Sequence, residues 1–172
     1  NEEENIANFY KAVTDVMSGL TYDYELIFVD DGSSDSSAMI LREIAFNDKH
    51  VKVLLLARNF GHQTALACHL DYAHGDAVIT MDGDMQHPPA LIPELVRLWE
   101  SGYDVVRTIR DSTDDASWAK SFTSKYYYKL MNKMADVPIV EGGSDFRLMN
   151  SKALGTLKRF REHGRFLRGI VG

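Results

Sequence analysis

A single cysteine, Cys68, stands in a chain of 172 residues. That excludes an intrachain disulfide framework and a cysteine-rich zinc site, and it fits a reducing compartment. Proline is scarce, at four residues. No Pro/Gly-rich linker, low-complexity tract or internal repeat divides the chain, so a single domain over residues 1–172 is expected. No apolar run approaches the 18 or so residues that cross a bilayer, and no signal peptide opens the chain. Excess positive charge is lacking too. The net charge of −6 excludes a nucleic-acid binder with a wholly basic surface.

What is present is an ordinary globular composition, 45% hydrophobic and 26% charged. A chain of this size buries roughly 70% of the surface its unfolded form exposes, so it needs no covalent or metal staple. Charge is unevenly spread. Residues 1–86 hold 15 Asp/Glu against 5 Lys/Arg, and residues 87–172 hold 10 against 14. An acidic front half suits a metal site, and a basic tail suits phosphates or an anionic membrane surface.

Helical and strand patterns alternate along the chain. Asn1 is placed to cap a helix whose first turn carries Glu2, Glu3 and Glu4, with Ile6, Phe9, Tyr10, Val13 and Met17 at helical spacing. Apolar strands are expected at 24–29, 51–57, 77–81 and 103–109, with helices through 39–45, 62–73, 91–100 and 117–134 and an extended stretch at 145–149. Strands alternating with amphipathic helices imply right-handed crossovers and a mostly parallel sheet, with ligands gathering at the carboxyl ends of the strands.

Both acidic clusters fall at such ends. Asp82-Gly83-Asp84-Met85-Gln86 follows the third strand. Carboxylates two residues apart converge on one ligand if the glycine bends the backbone, and oxygen donors without thiolates suit Mg²⁺ or Mn²⁺. An Asp-x-Asp of this kind also reads as a turn closed by Asx hydrogen bonds. Asp30-Asp31-Gly32-Ser33-Ser34-Asp35 leaves the first strand. Ser34 or Asp35 as a helix cap accounts for part of it, but not for the doubled Asp at the end of an apolar strand.

These two clusters, taken with Arg58-Asn59-Phe60-Gly61-His62-Gln63, His87-Pro88-Pro89, Gly143-Ser144-Asp145-Phe146-Arg147 and Arg165-Phe166-Leu167-Arg168-Gly169, resemble family-2 glycosyltransferases of the GT-A fold. The likeness is to the branch that moves a sugar onto a dolichol or undecaprenyl phosphate. It runs the length of the chain in the expected order. It implies an α/β, Rossmann-like, mostly parallel sheet with helices on both faces. It also implies a chain cut at both ends, without the family's opening strand or its C-terminal membrane helices.

The resemblance further implies roles. Asp30 and Asp31 would contact the nucleoside, and Asp82 would lie near the ribose and diphosphate. Asp84 with Gln86 would hold the Mg²⁺ or Mn²⁺, and Asp145 takes the place of the catalytic carboxylate. Arg107 and Arg110 are candidates for the donor diphosphate, and Arg165 and Arg168 for the acceptor phosphate, since a guanidinium fork matches phosphate oxygens. The expected reaction is inverting, metal-dependent transfer from a UDP- or GDP-linked sugar to a polyprenyl phosphate at the cytoplasmic face of a membrane, with no nucleic-acid partner. A sugar-hydroxyl acceptor, a sugar-phosphate nucleotidyltransferase and a non-catalytic nucleotide-sugar-binding module are the alternatives. His62 falls near the diphosphate or simply starts a helix. His87 adjoins the Asp-Gly-Asp loop. His62 and His69 lack a third ligand at zinc spacing.

Overall fold

A computed structural model describes residues 1–109 and 143–159. The expected helix at 117–134 lies outside the described residues. The elements run α1 (Ile6–Ser18), β1 (Leu26–Asp30), α2 (Ser37–Asn47), β2 (Val51–Leu55), α3 (His62–Tyr72), β3 (Ala77–Thr80), a 3₁₀ turn (Pro89–Leu91), α4 (Ile92–Glu100), β4 (Val105–Ile109), β5 (Gly143–Asn150) and α5 (Ser151–Arg159).

Two corrections to the sequence reading concern helices. Helix α1 starts after Asn5, not after Asn1. Asn1 instead accepts a hydrogen bond from the Ser34 backbone N–H at 2.8 Å, fastening the start of the chain to the loop after β1. Helix α5 was not anticipated, although Asn150 accepts from the Ala153 N–H at 2.8 Å as a cap would. Leu154 and Leu157 give α5 its buried face. Its Lys158 ammonium donates to the carbonyls of Asp71 and Ala73 at the end of α3, where the helix dipole favours a cation.

Strands β1 and β2 pair in parallel, Leu26 opposite Val51 through Asp30 opposite Leu55. Strand β5 runs antiparallel between β3 and β4, so β3 and β4 are parallel to each other with one reversed strand inserted. The period-two alternation of β5 divides the core. Phe146 and Leu148 face α1 and α4, together with Phe9, Val13, Ile92, Leu95 and Val106. Met149 faces α3 and α5, together with Leu66, Leu70, Val78, Leu154 and Leu157. Strand β1 continues both layers, Leu26 and Phe28 toward the first and Ile27 toward the second. Helices therefore cover both faces, as expected.

Among the described residues, β1 and β3 share no ladder hydrogen bonds. A cavity of about 1030 Å³ lies between them, lined along its length by residues of both strands. It leaves Leu26, Ile27, Phe28 and Val29 only half-buried.

Candidate functional site

The carboxyl ends of β1 and β3 open on the same cavity, whose wall includes Asp30, Asp31, Asp82, Gly83, Asn59 and His62. Each acidic cluster is shaped by its own backbone. Gly32 sits at φ +72°, and a Cβ there would fall 2.5 Å from the Arg58 carbonyl carbon, so only glycine lets the loop after β1 lie against residues 58–61. Asp31 secures that contact: its two oxygens accept from the Phe60 N–H at 2.7 Å and the Gly61 N–H at 2.8 Å. Asp30 is buried, with one oxygen 3.3 Å from the Ser33 N–H. Neither Ser34 nor Asp35 is the cap of α2, whose N-cap is Ser36; Asp35, one residue before it, accepts from the Ser37 N–H at 3.0 Å. The Ser37 hydroxyl and amide beside it hold its carboxyl below the usual range.

At the end of β3, Met85 adopts φ +62°, the left-handed region that non-glycine residues seldom enter. The Gln86 N–H donates to Asp84 Oδ1 at 3.0 Å, closing an Asx turn. Buried His87 stacks on Phe146 with ring centres 5.4 Å apart. Its Nδ1 accepts from the Asp82 N–H at 3.1 Å, which puts the ring hydrogen on Nε2 and fixes the backbone from which Asp82 projects.

The structure thus brings Asp30, Asp31 and Asp82 to one cavity. Asp84, Gln86, Arg107 and Asp145 do not line it. Among the described residues no three His, Cys, Asp or Glu side chains converge as a ready-made metal cage. A hard divalent ion does not require one. Mg²⁺ is held through one or two carboxylates plus substrate phosphates, and the donor set of Asp84 and Gln86 beside Asp82 has that chemistry. Arg107 is half-buried on β4, directly opposite Arg147 of β5, and its guanidinium makes no hydrogen bond or ion pair among the described residues. Arg110, Arg165 and Arg168 lie outside the described residues.

Asp145 is 3% exposed. Its Oδ1 accepts from the Arg147 guanidinium at 2.6 Å, and its Oδ2 lies 3.2 Å from His62 Nε2. The Thr80 hydroxyl donates to its backbone carbonyl at 2.6 Å. Removing one partner of a buried pair such as Asp145–Arg147 leaves an uncompensated charge, at a cost of about 3–5 kcal/mol. The sequence reading missed the link from His62 to Asp145 because 83 residues separate them. A histidine at the head of a helix was its only trace.

Residues 1–157 match the profile of "Glycosyl transferase family 2". The glycosyltransferase YkcC of Bacillus subtilis, itself described as uncharacterized, is 41% identical over 99% of the chain and 53% of its own length. The bactoprenol glucosyl transferase of Shigella phage SfV is 39% identical, over 99% and 56%. The chain therefore spans about half the length of the curated relatives it matches. Among solved structures, a mannosyltransferase from Pyrobaculum calidifontis in complex with GDP-Man and Mn²⁺ superposes with a TM-score of 0.55 at 19% identity, covering 89% of this chain and 44% of that one. Staphylococcus aureus TarS gives 0.53 at 17% identity, over 90% and 46%. Both are GT-A folds, and this is the architecture of the present chain. From its matched profile and its relatives, the chain belongs to glycosyl transferase family 2.

Proposed function

We propose that the protein transfers a sugar from a nucleotide-sugar donor to a polyprenyl phosphate, with inversion and with a divalent cation. The observation that carries this reading is the meeting of two acidic strand ends, Asp30-Asp31 and Asp82, on one cavity of a family-2 chain. A bactoprenol glucosyl transferase among the relatives supports the lipid acceptor. The complex of the Pyrobaculum neighbour with GDP-Man and Mn²⁺ supports the donor and metal classes.

In this reading Asp30 and Asp31 receive the nucleoside and Asp82 faces the ribose and diphosphate. Asp84 and Gln86 would hold Mg²⁺ or Mn²⁺, which supplies charge stabilisation for the departing diphosphate. Arg107 and, three residues on, Arg110 serve the donor diphosphate, while Arg165 and Arg168 serve the acceptor phosphate. The single domain works at the cytoplasmic face of a membrane. Among the described residues no helix is long and apolar enough to cross one.

Calorimetric titration of UDP-glucose and of GDP-mannose, with and without Mn²⁺, tests the donor site. One of the two is expected to bind only with metal, and Asp84→Ala to weaken it at least about tenfold, or about 1.4 kcal/mol. Equal affinity with and without Mn²⁺, unchanged in the variant, would remove the metal from Asp84.

A further inference from the structure

We propose that His62 is the catalytic residue that takes the acceptor's proton, and that Asp145 is a positioning residue that holds it. This rests on the sugar-transfer reading above and changes which side chain performs the proton step. Asp145 is poorly placed to meet a substrate. It is 3% exposed, is absent from the cavity wall, and has one oxygen on Arg147 and the other on His62. His62 has the opposite character: its side chain is 52% exposed, and it lines the cavity with Asp30, Asp31 and Asp82.

The tautomer follows from the partners. An aspartate paired with an arginine is ionised and can only accept, so His62 Nε2 carries the hydrogen that points at Asp145 Oδ2. Nδ1 is then left with its lone pair, and it has no hydrogen-bond partner among the described residues. A carboxylate that fixes a cavity-lining ring through one nitrogen and leaves the other its lone pair is the arrangement a general base requires.

The step balances as follows. The acceptor O–H, whether a sugar hydroxyl or the P–OH of a phosphate monoester, gives its proton to Nδ1. Its oxygen bonds to the anomeric carbon as that carbon's bond to the diphosphate oxygen breaks. The electron pair leaves with the nucleoside diphosphate, and the proton stays on His62 as an imidazolium beside Asp145. A phosphate monoester has a second pKa of about 6 and arrives mostly ionised, so it depends on His62 less than a hydroxyl does.

The test is steady-state transfer by the full chain from UDP-glucose or GDP-mannose, to undecaprenyl phosphate in one arm and to octyl glucoside in the other. His62→Ala is expected to lower kcat about 100-fold with the hydroxyl and by less than about tenfold with the phosphate, leaving the donor KM within about threefold. Added imidazole is expected to restore at least a tenth of the lost rate. Asp145→Asn is expected to lower kcat on its own and to add little to His62→Ala, as for residues that act as a unit. A His62→Ala enzyme within threefold of wild type toward octyl glucoside, with Asp145→Asn inactive, would return the base role to Asp145. Nitrogen NMR of His62 decides the dyad without turnover. An Nε2–H ring that changes tautomer or pKa in Asp145→Asn supports it, and an Nδ1–H ring in the wild type overturns it. Wild-type protein inert with both donors but showing the Nε2–H ring would count against the transferase reading and leave the dyad standing.

Discussion

Gly32 carries the strictest steric demand near the site. Its positive φ and the 2.5 Å approach of its notional Cβ to Arg58 act together, so Gly32→Ala must strain the backbone and push two loops apart. The expected loss is about 1–3 kcal/mol in urea unfolding, with weaker donor binding because Asp31 can no longer reach both the Phe60 and Gly61 amides. Residues of this kind mark what a sequence tells and what it withholds. The acidic pairs were legible because a carboxylate at the end of an apolar strand is rarely idle. That Asp31 spends hydrogen bonds on a distant loop was not, because its partners lie 29 and 30 residues away. Asp35 and Asp84 do what short polar residues do in turns, accepting from amides two residues ahead. That does not prevent Asp84 from offering its remaining lone pairs to a cation.

At the scale of elements, the apolar runs located every strand of the described residues to within a few residues. Their pairing was another matter. Strand β5 enters between β3 and β4 from more than thirty residues further along the chain, and no local pattern encodes such an insertion. Helix α5 was missed although its Asn150 cap and its leucines three apart were in view. Helix α3 supplies a pH dependence. Burial holds the His69 imidazole below its ordinary value of 6.5. The unfolded chain then binds a proton near pH 6.5 that the folded chain refuses, so this group lowers stability as pH falls through that range and has no effect well above it. Urea unfolding at pH 8 and pH 5.5 is expected to show a smaller difference in His69→Leu than in the wild type. An unchanged difference would place the dependence on other groups.

For the molecule as a whole, two separately hydrogen-bonded sheets share two apolar layers and one cavity. Amides of β5, paired on both sides, are expected to exchange hydrogen slowly. Those on the facing edges of β1 and β3 are expected to exchange far faster, because no ladder among the described residues protects them. Comparable protection on all three strands would mean that the gap closes in solution.

The gap also governs how a polypeptide of these 172 residues behaves in concentrated solution. Edges of β1 and β3 that are unpaired among the described residues and rimmed by half-buried Leu26, Phe28 and Val29 are a template for adding a foreign strand. Self-association that rises with protein concentration is therefore expected. A nucleotide held at once by Asp30 on one sheet and Asp82 on the other would clasp the halves together. Mass action would then make the proposed nucleotide-sugar donor an agent of solubility, and light scattering is expected to fall as it is added.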